Sequence, residues 1–179
     1  MTTHIALLRG INVGGRRQIK MEALKALFET LGFSQVRTYI QSGNVVFLAL
    51  ESDGQSLQST IETNILQTFG FDVTVMLRSL AEWRQIVQRN PYQSAATADG
   101  KKVHAVFLSQ QPNPDLVEQL SAVDTGDDQF VVDGRLMYLH CPNGYGQTRL
   151  SNPFIERKLK VAATTRNWHS VIALLEMAG

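Results

Sequence analysis

The order of apolar segments is the feature that most restricts how this chain of 179 residues can fold. In the first half, the apolar pattern predicts a strand, an amphipathic helix, a hairpin of two strands, a second helix and a further strand. These predicted elements cover residues 4–8, 21–31, 36–40 with 45–48, 57–69 and 72–77. The resulting β-α-β-β-α-β order is that of the ferredoxin-like plan.

The second half of the chain predicts a similar order that ends without its last strand. A strand at 103–108, a helix, a hairpin at 129–140 and two further helices follow one another. Asn152 opens the first of these two helices, and Thr164 or Thr165 is expected to cap the last one. We therefore expect an α+β protein with two ferredoxin-like halves, of which the second is incomplete and carries extra C-terminal helices.

The segment between the halves contains the predicted domain boundary. Residues 79–82 form a Ser-Leu-Ala-Glu capping box, which opens a helix that ends before Asn90 and Pro91. The stretch 93–102 is small, polar and contains glycine, which is typical of a linker. The predicted organisation is a first half at 1–78, a helix and linker at 79–102 and a second half at 103–179, or one compact unit that contains both halves.

Composition and charge exclude several classes of protein. Seventeen basic and sixteen acidic side chains give a net charge of +1 and a pI near 7.9, whereas dedicated polyanion-binding domains usually have a pI above about 9. No apolar run approaches the roughly 18 residues of a membrane span. The single cysteine, Cys141, excludes a disulfide framework, and the four histidines lack metal-ligand spacing. Together with a start that lacks an export signal, these features predict a cytoplasmic protein that has no membrane span and no metal site.

Two polar segments of the first half are predicted to lie at the same end of the sheet. In the ferredoxin-like plan the first and second strands run in the same direction, so the loop at 9–17 and the turn at 41–44 converge. The loop combines glycines, whose backbone a ligand can approach closely, with arginines and an asparagine, and this combination suits an anion. The candidate ligand-binding residues are Arg9, Gly10, Asn12, Gly14, Gly15, Ser42 and Asn44. Ordinary turn chemistry is the alternative, and it is the preferred explanation of the turn taken alone.

Neither a nucleotide-binding P-loop nor an RNA-recognition module fits the first half. Gly10 and Gly15 have the P-loop spacing, but arginines occupy the positions of the required lysine and of the hydroxyl residue that holds Mg²⁺. The strand at 4–8 has no aromatic side chain to stack on bases, and residues 45–48 lack the basic-aromatic pattern of an RNA-reading strand.

A further candidate anion site lies at the predicted start of the last helix. Arg166 and Asn167 follow two threonines there, and the free amides of a helix start bind anions readily. Charge is unevenly distributed, since residues 1–21 carry four basic and no acidic side chains while 115–133 carry six acidic and no basic ones. We expect Arg166 and Asn167 to complete the ligand-binding site if the last helix begins near the loop at 9–17.

Three ordered motifs carry a resemblance to a known family. They are Leu-Leu-Arg-Gly-Ile-Asn-Val-Gly-Gly at 7–15, Tyr-Ile-Gln-Ser-Gly-Asn-Val at 39–45 and Ala-Thr-Thr-Arg-Asn-Trp at 163–168. Over nearly its whole length the chain resembles the bacterial family called domain of unknown function sixteen ninety-seven. The resemblance implies a cytoplasmic α+β protein with ferredoxin-like halves, and it implies no established activity, cofactor or catalytic residue. Arg149 stands where the family pattern has lysine, which disfavours any role that needs an amine there.

These residues support two functional hypotheses. The first is a site for a small anionic ligand that carries phosphate or carboxylate, with catalysis left open. The second is a non-catalytic module that docks nucleic acid or a partner protein through the same basic end, and its nucleic-acid form predicts binding that weakens steeply with salt. The neutral net charge and the lack of stacking aromatic residues favour the first hypothesis. The sequence specifies no cofactor and no oligomeric state.

Overall fold

The computed structural model describes residues 1–50 and 53–179. Contacts between Cα atoms divide the chain into two compact units, Met1–Gln88 with Ala173–Gly179, and Arg89–Ile172. The elements are β1 (Thr2–Leu8), α1 (Met21–Thr30), β2 (Ser34–Tyr39), β3 (Asn44–Ala49), α2 (Gly54–Phe69), β4 (Val75–Ser79), α3 (Leu80–Gln88), α4 (Gln93–Ala98), β5 (Val103–Leu108), α5 (Pro114–Ser121), β6 (Gln129–Asp133), β7 (Leu136–His140), α6 (Asn152–Leu159), β8 (Ala163–Asn167) and α7 (Trp168–Ala178). The described residues therefore form a mixed α+β structure with two four-stranded antiparallel sheets and seven α-helices. Within these residues, no helix has both the length and the apolar character that a membrane crossing requires.

The first unit has the element order that the sequence predicts for the first half. Its strands lie in the order β2-β3-β1-β4, each antiparallel to its neighbour. Leu24 and Phe28 of α1 and Ile61 of α2 pack with Ala6 and Phe47 of the sheet in one apolar core. This core covers one face of the sheet. The loop after β1 and the turn between β2 and β3 leave the sheet at the same end.

The second unit has a complete sheet, so the prediction of an incomplete second half is wrong. Residues 163–167 form β8, which pairs with β5 and completes the strand order β6-β7-β5-β8. The β-branched Thr164 and Thr165 favour the extended backbone, so neither caps a helix. The side chain of Asn167 takes that role, since its Oδ1 accepts a hydrogen bond of 2.9 Å from the backbone N–H of Ser170. Residues 93–98, within the predicted linker, form α4.

Matching contacts indicate that the two units follow the same plan. The carboxylate of Glu62 on α2 accepts a hydrogen bond of 2.9 Å from the backbone N–H of Val75, the first residue of β4. The carboxylate of Glu156 on α6 accepts a hydrogen bond of the same length from the backbone N–H of Ala163, the first residue of β8. In each unit, a glutamate of the helix that precedes the last strand therefore holds the start of that strand.

Each unit also buries one histidine and one arginine at matching places. His4 and His104 lie on the central strands β1 and β5 and are 3% and 4% exposed. Arg78 and Arg166 lie one residue before the ends of β4 and β8 and are 4% and 7% exposed. Burial of such polar side chains in both units makes them part of the fold rather than of the solvent-facing surface.

The buried His104 makes stability of the protein sensitive to acid. Its ring packs on Tyr145 with 4.6 Å between ring centroids, and its Nδ1 has no hydrogen-bond partner among the described residues. Burial lowers the pKa of His104 from 6.5 to about 4, against a smaller opposing effect of Asp128. The folded protein keeps this imidazole neutral, whereas the unfolded chain takes up a proton as the pH falls below 6.5. We expect this difference to lower the free energy of unfolding by about 2 kcal/mol between pH 7 and pH 5.

Urea unfolding at several pH values measures this effect. The variant His104→Phe keeps a ring but has no titrating group, so its stability should lose that component of the pH dependence. The control His169→Gln changes an exposed histidine and should behave like the unmodified protein. Identical pH profiles for His104→Phe and the unmodified protein would show that His104 does not titrate differently in the folded state.

Candidate functional site

The loop after β1 folds back on itself as a small projecting hairpin, here called the cationic hairpin, residues 12–17. The backbone N–H of Asn12 donates to the carbonyl of Arg17 at 3.1 Å, and that of Arg16 donates to the carbonyl of Val13 at 3.1 Å. Gly14 and Gly15 form the tip with φ values of +59° and +73°. Two successive positive φ values are typical of the type I′ turn, which glycine adopts without steric cost. The two glycines therefore serve the turn, and they also leave the tip exposed.

Asn12 fixes the base of the cationic hairpin to the β2–β3 turn. Its Nδ2 donates to the carbonyls of Ile19 at 2.9 Å and of Gln41 at 2.8 Å, and its Oδ1 accepts from the backbone N–H of Ile19 at 2.8 Å. A further backbone hydrogen bond of 2.8 Å runs from Leu8 to the carbonyl of Gly43. The loop and the turn therefore meet at one end of the sheet, as the strand directions predict. The hydrogen bonds of the Asn12 side chain link the loop to the turn.

The β2–β3 turn is held by its own polar groups. The buried Nδ2 of Asn44 donates to the carbonyl of Tyr39 at 2.8 Å and to the hydroxyl of Ser42 at 3.0 Å. Ile40 has a φ of +49° and is 51% exposed. A β-branched residue with positive φ is a genuine outlier, and such strain is concentrated at functional sites. Ser42 and Asn44 thus serve the turn, while Ile40 marks this end of the sheet as unusual.

A half-open cavity of about 340 Å³ lies between the base of the cationic hairpin and the turn. Its lining residues are Asn12, Gln18, Ile19, Lys20 and Gln41. Lys20 supplies an ammonium group, the two glutamines supply amides, and the buried Ile19 supplies an apolar surface. Sequence reasoning missed Gln18 and Gln41 as lining residues and counted Lys20 only as part of the basic end. Their positions in the sequence, next to the loop at 9–17 or within the turn at 41–44, could have identified them as lining residues.

Three cations of this region have no carboxylate partner within residues 1–50 and 53–179. Arg16, Arg17 and Lys20 are exposed and make no ion pair with a described residue. Arg9 is half-exposed, and its backbone N–H donates to the carbonyl of Thr74 at 2.9 Å. Gly10 has a φ of +68° and is exposed. The positive charge of Arg16, Arg17 and Lys20 is therefore available to an anion from outside the chain.

Arg166 belongs to β8 and not to the first turn of a helix as predicted, whereas Asn167 ends β8 and caps α7 with its side chain. Arg166 is buried, and its guanidinium donates to the hydroxyl of Thr164 at 2.8 Å and to the carbonyl of Thr165 at 3.0 Å. Burial lowers the pKa of Arg166 to about 10. Both residues are part of the second unit, whereas the cationic hairpin is part of the first. The Arg166 guanidinium therefore hydrogen-bonds residues of its own strand and is not exposed to an anion in solvent, contrary to the prediction.

The remaining candidates for chemistry are the single cysteine and a metal site. Cys141 is buried, and burial raises the pKa of its thiol to about 11. A thiol with a raised pKa holds little nucleophilic thiolate at neutral pH. Across the described part of the chain, no three His, Cys, Asp or Glu side chains are grouped so that they could hold a metal ion.

Comparisons with known proteins place the chain in a family. A family model described as "Protein of unknown function (DUF1697)" matches residues 1–138. Among solved structures, the chain is similar to the conserved bacterial protein SP0830 from Streptococcus pneumoniae, with 23% sequence identity, a TM-score of 0.79 and 99% coverage of both chains. At this identity the likeness concerns the fold. The comparison with curated proteins gave no match. Since the family model spans well over half of its length, the chain belongs to the protein family of unknown function DUF1697.

Proposed function

We propose that the cavity beside the cationic hairpin binds a small anionic ligand that carries a phosphate or carboxylate group. The observation that carries this proposal is Lys20, an ammonium group in the wall of a cavity, with no carboxylate partner among the described residues. The volume of about 340 Å³ is within the range of small-molecule sites, roughly 300–1,000 Å³. Charge, volume and amide donors thus favour the same class of ligand.

Each feature of the cavity has a role in this proposal. Lys20 would neutralise the anion, and the amides of Gln18 and Gln41 would hydrogen-bond its neutral part. The arginines of the cationic hairpin would increase the local concentration of anions at the entrance. Asn12 would act as a positioning residue, because its polar atoms already bind backbone groups. The proposed site therefore contains the loop from Arg9 to Lys20 together with Gln41, and it does not require Arg166 or Asn167.

The proposal rests on a ferredoxin-like plan for each unit. We infer this plan from the β-α-β-β-α-β element order and from the strand orders β2-β3-β1-β4 and β6-β7-β5-β8. In the first unit it brings a long glycine-rich loop next to the β2–β3 turn. The corresponding loop of the second unit, residues 109–113, is shorter and has no glycine or cationic side chain. The proposed ligand site is therefore a property of the first unit alone.

The charge of Lys20 provides the direct test. We expect phosphorylated or carboxylated metabolites in a thermal-shift screen to raise the Tm, because a ligand that binds the folded state alone stabilises it. The variant Lys20→Gln should lower the affinity for this ligand at least about tenfold, since a charge-assisted hydrogen bond contributes roughly 1.5–3 kcal/mol. Its Tm without ligand should stay nearly unchanged because the side chain is exposed.

Lys25→Gln is the matched control for this test. Lys25 lies on α1 a few residues further along, is 47% exposed and pairs with Glu29 at 3.8 Å. Its loss should leave the ligand response intact. An equal ligand response in the Lys20→Gln and Lys25→Gln proteins would refute a ligand held by Lys20.

A second candidate function follows from two exposed apolar side chains at the same end of the sheet. Val13 is 67% exposed at the cationic hairpin, and Ile40 is 51% exposed at the turn. The cations beside these aliphatic side chains suit the docking of a larger anionic partner such as single-stranded nucleic acid, whose phosphates they would bind. Titration of a single-stranded oligonucleotide at low and moderate salt separates the two candidates. Tight binding that falls steeply with salt would favour docking, and no affinity at low salt would exclude it.

A further inference from the structure

Three cationic side chains of the second unit surround one aromatic ring. The guanidinium carbon of Arg149 lies 5.5 Å from the ring centroid of Phe154, and that of Arg157 lies 5.2 Å from it. The Nζ of Lys158 lies 5.7 Å from the same centroid. Arg149 precedes α6, whereas the other two cations lie in its last turn. Three positive charges from two parts of the chain therefore lie within 5.7 Å of one point.

The three cations are exposed, and they lie around one buried ring. Phe154 belongs to the core of the second unit with Leu150 and Ile155, and only 9% of it is exposed. Arg149, Arg157 and Lys158 are all exposed. Each charged group lies within 5.7 Å of the same ring centroid, so the three groups occupy one small region of the second unit. The cations thus form a group on one patch of the surface.

No carboxylate among the described residues neutralises this group. None of the three cations makes an ion pair within the described ranges. Glu156, the acidic residue of α6, accepts from the backbone N–H of Ala163 instead. Asp124 contacts Arg149 through its backbone carbonyl, at 3.1 Å, and not through its carboxylate. The group therefore keeps a local excess of positive charge, in which the three cations repel one another.

The fold alone does not require this arrangement. Cations in the last turn of a helix interact favourably with its C-terminal carbonyls, which accounts for Arg157 and Lys158. Arg149 lies in the segment before α6 and gains nothing from that effect. A single cation over the ring would provide the favourable contact with its π-face. The second and third cations add repulsion that a bound anion would remove.

We propose that Arg149, Arg157 and Lys158 form a phosphate-binding site, distinct from the cavity of the first unit. Two guanidinium groups and one ammonium group supply more charge and more donors than a single carboxylate can use. A phosphoryl group carries up to two charges and at least three acceptor oxygens, and arginine binds such oxygens in a bidentate manner. The shared chemistry of the ligand is therefore a phosphate monoester or a pyrophosphate.

Inorganic phosphate and inorganic pyrophosphate are the probes for this site. Thermal shift and isothermal titration are compared in phosphate, in pyrophosphate and in sodium chloride of the same ionic strength. We expect both phosphorus-containing anions to raise the Tm above the chloride value, with a larger effect of pyrophosphate. The variants Arg149→Gln and Arg157→Gln should each weaken pyrophosphate at least about tenfold, as expected when a charge-assisted contact is lost. Far-UV circular dichroism verifies that these variants are folded.

Two further variants make the outcome specific. Lys101→Gln removes an exposed cation of the same unit and should leave pyrophosphate binding unchanged. Lys20→Gln removes the cation of the first-unit cavity, so a pyrophosphate response that falls in this variant and not in Arg149→Gln belongs to the cavity, and one that falls only in Arg149→Gln and Arg157→Gln belongs to the second unit. An equal response of the Arg149→Gln, Arg157→Gln and Lys101→Gln proteins would overturn the proposal. A Tm in phosphate and pyrophosphate no higher than in chloride would overturn it as well.

Discussion

Replacement of Arg166 by glutamate should destabilise the protein by at least about 3–5 kcal/mol, or unfold it, since this is the usual effect of an uncompensated buried charge. Arg166 is 7% exposed on β8, and its guanidinium donates to the Thr164 hydroxyl and the Thr165 carbonyl. A carboxylate at this place cannot donate, and it would face the same two oxygen atoms. Urea unfolding of the variant measures the loss as a lower midpoint, or as a chain without cooperative unfolding.

Two controls distinguish burial from charge in this experiment. Arg78 is the matching arginine of the first unit, with 4% exposure and a hydrogen bond of 2.8 Å to the carbonyl of Leu77. Arg78→Glu should therefore be as costly as Arg166→Glu. Arg16→Glu changes an exposed arginine and should alter the free energy of unfolding by no more than about 0.5 kcal/mol. A stable Arg166→Glu protein would mean that Arg166 is at an exposed helix start, as the sequence suggests.

The prediction for Arg166 is wrong because the local sequence does not identify β8 as a strand. Residues 163–167 are small or polar, so they have no apolar alternation that would identify a strand. Threonine is frequent both at helix N-caps and in strands, so its presence before an apolar helix supports either assignment. The pairing of β8 with β5 decides the matter, and such pairing between distant segments is not encoded in a local pattern. The missing strand and the displaced arginine are one error.

The loop at 9–17 shows what the sequence does predict. Strand directions in the β-α-β-β-α-β order bring this loop to the β2–β3 turn, and the hydrogen bond from Asn12 to the carbonyl of Gln41 demonstrates the meeting. The sequence does not predict where the Asn12 side chain points, because the same residue type occurs both exposed to ligands and hydrogen-bonded to the backbone. The structure turns it inward, and the cavity wall is made by neighbours such as Lys20.

Alanine in place of Gly43 should cost about 2–5 kcal/mol and disrupt the junction on which the proposed ligand cavity depends. Its φ is +84°, and a Cβ there would lie 2.7 Å from Cδ1 of Ile11 and 2.9 Å from Cβ of Leu8. Residues other than glycine lose roughly 1–2 kcal/mol in the left-handed region, and overpacking of a filled core adds about 1–3 kcal/mol. Neither neighbour can move easily, because Ile11 is 1% exposed and Leu8 is fully buried in the same core.

Gly134→Ala separates these two contributions. Gly134 is the turn glycine of the β6–β7 hairpin, with a φ of +59° and no atom within 4 Å of an added Cβ, so its replacement should show the backbone cost alone, roughly 1–2 kcal/mol. The excess cost of Gly43→Ala then measures the clash, and a second substitution, Ile11→Val, which removes Cδ1, should recover part of it. Denaturant unfolding of the unmodified protein, Gly43→Ala, Ile11→Val and the double variant gives this coupling energy directly. If Gly43→Ala and Gly134→Ala cost the same, the packing of Ile11 against the turn is not what fixes the end of the sheet, and the cavity bounded by Ile19 and Gln41 loses its rigid support.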